Sequence, residues 1–135
     1  MFNHQTTVRV RYAETDRMGY VYYGVYAQYF EVGRVEALRS LGMSYKRMEE
    51  EGVMLPVHDM SVSYHKPAFY DDELTVRTTI VAMPAVRIRF AYEVRNAEGG
   101  LITEAVTTLV FIDRGTGKPC RAPEELMVKL APYYA

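Results

Sequence analysis

Hydrophobic and polar residues alternate with a period of two along five stretches of the chain, which is typical of half-buried β-strands. The last stretch is apolar on both faces over Leu109–Ile112. Apolar residues on both faces indicate a central strand or one covered by a partner chain. The predicted strands are Thr7–Tyr12, Met54–Lys66, Leu74–Ile80, Val86–Arg95 and Leu101–Asp113. Turn-forming residues separate the last four at Asp71-Asp72, Met83-Pro84-Ala85 and Asn96–Gly100.

One stretch, from about Tyr23 to Leu41, has a helical period instead. It is apolar nearly all round, so the predicted helix is mostly buried. Gly42 ends it, because glycine accepts the left-handed conformation that commonly closes a helix. Two shorter helices are predicted, one capped by Ser44 and running to Glu51, and one opened by Pro123 at its first position.

The order of elements is a strand, the long helix and then four strands. Strands that follow one another along the chain form one curved antiparallel sheet, and the buried helix is the element for that sheet to wrap around. The pattern therefore predicts an α+β fold. A chain of 135 residues has the length of one ordinary domain. We expect residues 1–135 to form that single domain.

Composition narrows the function. Lys+Arg number 16 and Asp+Glu 17, for a net charge of −1, which argues against a general nucleic-acid or lipid-surface binder. The single cysteine, Cys120, and three scattered histidines make no metal-ligand spacing, so neither a metal site nor a cofactor is expected. No apolar run reaches the ~18 residues of a membrane span. No signal peptide precedes Thr7, so a cytoplasmic protein is expected.

The strongest candidate for chemistry is Asp16, in a loop just before the long helix. Gly19 and the helix start near Tyr23 place free backbone N–H groups beside this carboxylate. A base or nucleophile next to donors for an oxyanion is what acyl hydrolysis requires. On these residues alone, an aspartate in a Thr-Asp-x-x-Gly turn is more typical of a turn or a helix cap.

Two further groups are weaker signals. Arg87 and Arg89 project from the same face of one predicted strand, and Lys66 ends another. Such cations suit a diphosphate, but on these residues alone they are more typical of the solvated face of an amphipathic strand. Tyrosines crowd the Asp16 loop and include Tyr26, and they suit either an acyl pocket or plain core packing.

Together these residues resemble the hotdog-fold acyl-CoA thioesterases of the 4-hydroxybenzoyl-CoA thioesterase family. The match to the family pattern is most specific over Val8–Arg39. This segment contains a strand, then Tyr12-x-x-Thr-Asp-x-x-Gly19 and Val-Tyr, and then a helix with Tyr, Glu and Arg. Tyr64-His-Lys-Pro-Ala68 and Phe111-Ile-Asp113 match the family's second and third signatures. The likeness covers nearly the whole chain in the same order.

The resemblance implies a hotdog fold, a sheet of about five strands around one long helix, and hydrolysis of an acyl-CoA or acyl-carrier-protein thioester. It implies that Asp16 is the base or nucleophile and that the backbone N–H of Tyr23 polarises the thioester carbonyl. Arg87 and Arg89 correspond to the strand region that meets coenzyme A phosphates. Glu31 matches a helix position with a structural or substrate-orienting role.

The resemblance also implies a homodimer, or a homotetramer as in many relatives, with two sheets joined edge to edge and active sites between subunits. Many members carry histidine where Tyr23 stands, and His65 replaces a commonly apolar residue. A binding module of the same fold that does not hydrolyse its ligand is the alternative function. The resemblance does not specify whether the acyl group of the substrate is aryl or aliphatic.

Overall fold

Residues 1–134 are described by this computed structural model, and they form seven β-strands and three α-helices. The strands are β1 (Asn3–Arg9), β2 (Val53–Met54), β3 (Val57–Tyr64), β4 (Glu73–Ile80), β5 (Arg87–Arg95), β6 (Leu101–Val110) and β7 (Ile112–Asp113). The helices are α1 (Tyr26–Ser40), α2 (Tyr45–Glu50) and α3 (Glu124–Leu130). Short 3-10 turns lie at Tyr12–Glu14, Tyr23–Val25 and Ala131–Tyr133.

Five of the strands form one antiparallel sheet in the order β1-β4-β5-β6-β3, which confirms the predicted α+β architecture. β6 is interior, which agrees with the central position expected from its apolar later half. β3 does not lie beside β4, its successor in the chain, but at the far edge beside β6. The remaining strands, β2 and β7, pair with each other in a separate two-stranded ribbon.

The core lies between α1 and the sheet. On β4 and β5 every second residue is buried, as the alternation predicts. Phe30 of α1 is fully buried and stacks on Tyr92 of β5, with ring centroids 4.7 Å apart. These contacts hold α1 in place, so they also set where its N-terminal end meets the sheet.

Helix α1 confirms the prediction of a long helix, except that its first turn, Tyr23–Val25, is of the 3-10 type. Gly33 explains how closely the helix approaches β4. A Cβ at that position would lie 2.5 Å from Thr78 Oγ1 and 2.8 Å from Val76 Cγ1. The helix is less completely buried than its sequence predicts, because Val32 is 39% exposed.

Several predicted boundaries are wrong. β1 runs from Asn3 to Arg9 rather than Thr7–Tyr12, because its polar residues pair with β4 at the sheet edge and leave no apolar alternation. The predicted strand from Met54 to Lys66 is interrupted at Pro56, which has no N–H to donate to a ladder. The strand predicted to reach Asp113 is likewise divided, between β6 and β7. Pro123 lies one residue before α3, not at its first position.

Candidate active site

A cavity of about 390 Å³ opens where the segment after Asp16 meets the end of β3. Four predicted site residues line it together: Asp16, Tyr23, Tyr26 and Lys66. They come from two distant parts of the chain, which the fold brings to one place. The cavity wall also includes residues that were not proposed as site residues: Met18, Tyr20, Val21, Tyr64, His65 and Pro67.

Asp16 begins a tight turn that fixes its carboxylate. The N–H of Gly19 donates to the Asp16 carbonyl at 2.9 Å, and the N–H of Met18 donates to Asp16 Oδ1 at 2.8 Å. Gly19 takes a φ of 89°, in the left-handed region that favours glycine. Within residues 1–134, Asp16 Oδ2 accepts no hydrogen bond, so one oxygen of an anchored carboxylate stays available for chemistry.

The N–H of Gly19 is therefore not free, and the expectation of a second free donor there is wrong. Gly19 is also absent from the cavity wall. Its contribution is to the turn that carries Asp16. The substrate contact predicted for Gly19 remains a prediction.

Tyr23 starts the 3-10 turn that leads into α1. The first N–H groups of a helical segment have no partner within that segment. No hydrogen bond from the Tyr23 N–H is found in the part of the chain that the structure describes. Tyr23, whose N–H has no partner among the described residues, and Asp16, whose carboxylate is anchored, thus line the same cavity.

The cavity wall is largely aromatic. The Tyr64 hydroxyl donates to the Tyr23 carbonyl oxygen at 3.2 Å, which links the end of β3 to the start of the helical segment. The rings of Tyr26 and Tyr64 lie 5.7 Å apart, and those of Tyr23 and Tyr64 lie 6.4 Å apart. Tyr26 is 3% exposed, and burial raises the pKa of its hydroxyl. This wall suits an apolar or aromatic acyl group.

Lys66 contributes a positive charge to the wall. Its neighbour His65 is the residue that departs from the family pattern, and its Nε2 lies 2.8 Å from Glu104 Oε2 on β6. The backbone N–H groups of both residues point to the carbonyl oxygen of Ile102, at 2.8 Å from His65 and 3.2 Å from Lys66. Hydrogen bonds to Ile102, next to the β3–β6 pairing, therefore fix the backbone of His65 and Lys66 at the cavity wall.

Three other predicted site residues lie elsewhere. Arg87 and Arg89 are exposed on β5, opposite Val110 and Thr108 of β6. The cavity adjoins the other end of β6, where Tyr64 pairs with Thr103, about 17 Å along the strand from Thr108. Glu31 lines a second groove instead. Within one chain, none of the three lines the Asp16 cavity, and their substrate roles remain predictions.

Glu14 is a buried carboxylate that the sequence reasoning missed. Its Oε1 accepts hydrogen bonds from the Arg11 N–H and the Tyr29 hydroxyl, both at 2.8 Å. Its Oε2 accepts from Arg11 Nε and Nη2 at 3.1 and 3.0 Å. The Glu14 carbonyl accepts from the Tyr22 N–H at 2.9 Å, which closes the base of the Asp16 loop. The available signal was a glutamate at the third position of a helical turn, hidden because Arg11 stands where a capping serine or threonine is usual.

The charge of Glu14 is maintained by these partners. Burial by itself raises its pKa, but the hydrogen bonds from the Arg11 backbone, the Tyr29 hydroxyl and the Arg11 guanidinium outweigh burial and lower the pKa below 4.5. Burial and the hydrogen bond to Glu14 raise the pKa of Tyr29, which therefore stays protonated as a donor. Glu14 thus ties the Asp16 loop to α1.

Glu14→Gln is expected to lower the free energy of unfolding at pH 7 by about 1–3 kcal/mol, because charge-assisted hydrogen bonds are lost. A depressed pKa in the folded state contributes stability above the unfolded value, and this contribution is lost as pH falls through the folded value. The difference between wild type and variant should therefore shrink as pH falls below 4.5.

Urea unfolding at a series of pH values and at fixed protein concentration measures this. Glu98→Gln is the matched control, because Glu98 is exposed on the β5–β6 turn. It should change the free energy of unfolding by less than about 0.5 kcal/mol at every pH. A Glu14→Gln variant as stable as wild type at pH 7 would contradict the role given to Glu14.

Among residues 1–134, no three His, Cys, Asp or Glu side chains come together as a set that could hold a metal ion. In the same residues, no helix has the length and apolar character needed to cross a membrane. Asp16, Tyr23 and Lys66 are among the residues that line the cavity.

The chain is similar to known proteins over most of its length. Residues 10–130 match the model of the thioesterase-like superfamily. YneP of Bacillus subtilis is 38% identical over 112 residues, which cover 83% of this chain and 81% of YneP. The acyl-CoA thioester hydrolase YbgC of Escherichia coli is 34% identical over 122 residues, which cover 90% of this chain and 91% of YbgC.

Among solved structures, a DHNA-CoA thioesterase from Staphylococcus aureus is 36% identical and superimposes with a TM-score of 0.93. The superposition covers 98% of this chain and 91% of that enzyme. The match therefore extends over the whole architecture and is not restricted to the Asp16 loop. The chain belongs to the thioesterase-like superfamily and is a hotdog-fold thioester hydrolase.

Proposed function

We propose that this protein hydrolyses acyl-CoA thioesters to a carboxylic acid and coenzyme A in the Asp16 cavity. The observation that carries the proposal is one cavity lined by an anchored carboxylate, Asp16, and by Tyr23 with its free backbone N–H. Similarity to YbgC, an acyl-CoA thioester hydrolase, and to the Staphylococcus aureus DHNA-CoA thioesterase supports the same reaction.

In this proposal the thioester carbonyl oxygen accepts a hydrogen bond from the Tyr23 N–H. The donor stabilises the negative charge that develops on that oxygen when the carbonyl carbon is attacked. As a general base, Asp16 takes a proton from a water molecule while the water oxygen bonds to the carbonyl carbon. The C–S bond then breaks, and the thiolate of coenzyme A leaves and takes up the proton.

As a nucleophile, Asp16 attacks the carbonyl carbon itself. The thiolate then leaves, and water hydrolyses the resulting mixed anhydride to release the acid and restore the carboxylate. Both routes use Asp16 Oδ2, the oxygen without an internal hydrogen bond, and both use the Tyr23 N–H. The two routes differ in whether water or the carboxylate attacks the carbonyl carbon.

We further propose that the active unit is a homodimer or a homotetramer. β3 is an edge strand, and antiparallel pairing with β3 of a second copy joins two sheets into one. This pairing brings the end of one sheet that carries Arg87 and Arg89 near the cavity end of the other. Together with Lys66, these arginines then supply cations for the phosphates of coenzyme A.

The test is thiol release from a series of acyl-CoAs of graded length and one aryl-CoA, followed with a thiol-reactive dye. Hydrolysis predicts one free thiol per acid formed, with turnover well above the background rate. The same acyl groups presented on an acyl carrier protein identify the preferred donor. Saturable binding of these ligands without thiol release would instead identify a non-hydrolytic binding module.

A further inference from the structure

A second groove, of about 310 Å³, lies between α1 and the edge strand β3. Its charged residues are Glu31 and Arg34, one helical turn apart on α1, and Met60 of β3 forms part of its wall. The groove does not share residues with the Asp16 cavity. It therefore requires an explanation of its own.

Arg34 is half-buried and has no acidic partner within residues 1–134. No salt bridge to its guanidinium is present in residues 1–134, and its Nε is buried without a hydrogen bond. The hydrogen bond from its Nη1 to the Tyr92 hydroxyl is long, at 3.5 Å. A partly buried cation without an anionic partner is costly in free energy, so Arg34 indicates that a carboxylate or another anion completes this site.

Glu31 is the complementary group in the same groove. It is exposed and takes part in no salt bridge among the described residues, although it lies three positions before Arg34 on α1. The groove thus presents one unpaired anion and one unpaired cation side by side. Such a patch is self-complementary, which is the property of an interface between two copies related by a two-fold axis.

The adjoining strand has the properties of an uncovered interface. β3 pairs with β6 on one side, and no described strand pairs with it on the other. Val57 and Met60 are both 47% exposed on this edge. An unpaired strand edge is usually protected in soluble proteins, because its free N–H and C=O groups template pairing with another chain.

The position of the groove along β3 favours a second copy of this chain as the partner that covers it. When β3 pairs antiparallel with its own copy in a register centred on the strand, the two-fold axis passes near the middle of Val57–Tyr64, which is where Met60 lies. Since Met60 lines the groove with Glu31 and Arg34, both charged groups lie close to that axis.

We propose that Glu31 and Arg34 form two reciprocal ion pairs across the two-fold axis of a homodimer, and that these pairs complete the interface beside β3. The proposal rests on the dimer of the proposed function but not on the role of Asp16. It gives Glu31 a role in assembly. It also commits the groove to a second copy of this chain and not to a free anion.

Charge reversal tests the proposal. Glu31→Arg leaves two cations and Arg34→Glu two anions at each groove, so each variant alone is expected to raise the dimer dissociation constant more than about tenfold. An equimolar mixture of the two should restore dimers, because one copy then carries both cations and the other both anions. Sedimentation velocity measures the dimer fraction, and native mass spectrometry identifies the heterodimer by its mass.

The variant that carries both changes on one chain is the matched control, because it regenerates a self-complementary groove and should form homodimers. Circular dichroism establishes that each variant is folded. If Arg34→Glu alone does not fold, the dimer fraction of Glu31→Arg can still be compared with that of the double variant. Of these two proteins, only the double variant should dimerise. Dimers of both single variants as tight as wild type, or a mixture that stays monomeric, would overturn the proposal.

Two other outcomes separate this proposal from its alternatives. If the groove holds a free anion, Arg34→Glu leaves the sedimentation of the protein unchanged. If wild type forms the charge-dependent dimer but releases no thiol from any acyl-CoA, the proposed reaction fails while the interface stands. If thiol release is normal and both single variants dimerise, the interface fails while the reaction stands.

Discussion

Replacing Asp16 with asparagine is expected to lower kcat for thioester hydrolysis by about 10²–10⁴-fold, the usual contribution of a general base. Asparagine has nearly the same size and can still accept the hydrogen bond that Met18 N–H donates to Asp16 Oδ1. The turn is therefore preserved, while the amide neither takes a proton nor attacks a carbonyl. Because the loss occurs in the transition state, KM should change little.

Steady-state kinetics on the best acyl-CoA from the thiol-release series measures the effect. Asp71→Asn is the control, since Asp71 is an exposed aspartate with a φ of 67°, a conformation that asparagine also accepts. It should hydrolyse the substrate at the wild-type rate. Near-normal turnover by Asp16→Asn would remove Asp16 from the mechanism in both of its proposed roles.

Replacing Tyr23 with proline is the second change with a large expected effect. Proline has no backbone N–H, so this substitution removes the proposed oxyanion donor from the main chain. Loss of one such donor typically lowers kcat by about 10²–10³-fold. Proline is also suited to the first position of a helical segment, where no hydrogen bond is lost.

The local backbone is compatible with this change. Tyr22 has φ and ψ of −64° and 134°, the extended conformation preferred before proline. Tyr23→Phe is the control, because it keeps the N–H and the aromatic ring and should retain most of the activity. Thermal melts of both variants separate loss of chemistry from loss of fold. A Tyr23→Pro enzyme that turns over like Tyr23→Phe would show that the N–H is dispensable.

Much of the fold could be predicted from local patterns because burial imposes a period on each element. β4 and β5 alternate between a face packed on α1 and a face directed outward, so their sequences alternate too. Ser44 is the cap of α2, where its hydroxyl accepts a hydrogen bond from the Arg47 N–H at 3.0 Å, as the sequence predicts. The sequence therefore predicts well those elements that have one buried and one exposed face or a local capping motif.

The errors in the fold arise where distant parts of the chain decide the structure. β1 is an edge strand whose residues Asn3–Thr7 are polar, so its pairing with β4 leaves no signal in its own sequence. The division of the final strand between β6 and β7 depends on where β2 pairs. The hydrophobic pattern within a strand does not indicate which other strand lies beside it in the sheet.

The candidate site divides in the same way. Asp16 and Tyr23 were predicted because the motif around them is short and continuous, and they line one cavity. Glu14 was missed because its importance comes from burial against Tyr29, fifteen residues away. Gly19 was expected to offer a free N–H, but the turn uses it. Arg87, Arg89 and Glu31 lie outside the cavity of their own chain, where sequence position alone could not place them.

By itself, then, the sequence determined the type of each major element, the motif that carries Asp16 and the family to which the chain belongs. These properties depend on residues that are close together in the chain. Only the tertiary structure decided that Lys66, Tyr64 and Tyr26 share a cavity with Asp16, that Glu14 anchors its loop, and that Arg34 has no acidic partner among residues 1–134. Those properties depend on the packing of α1 against the sheet and on strand order, which bring together residues that no local period relates.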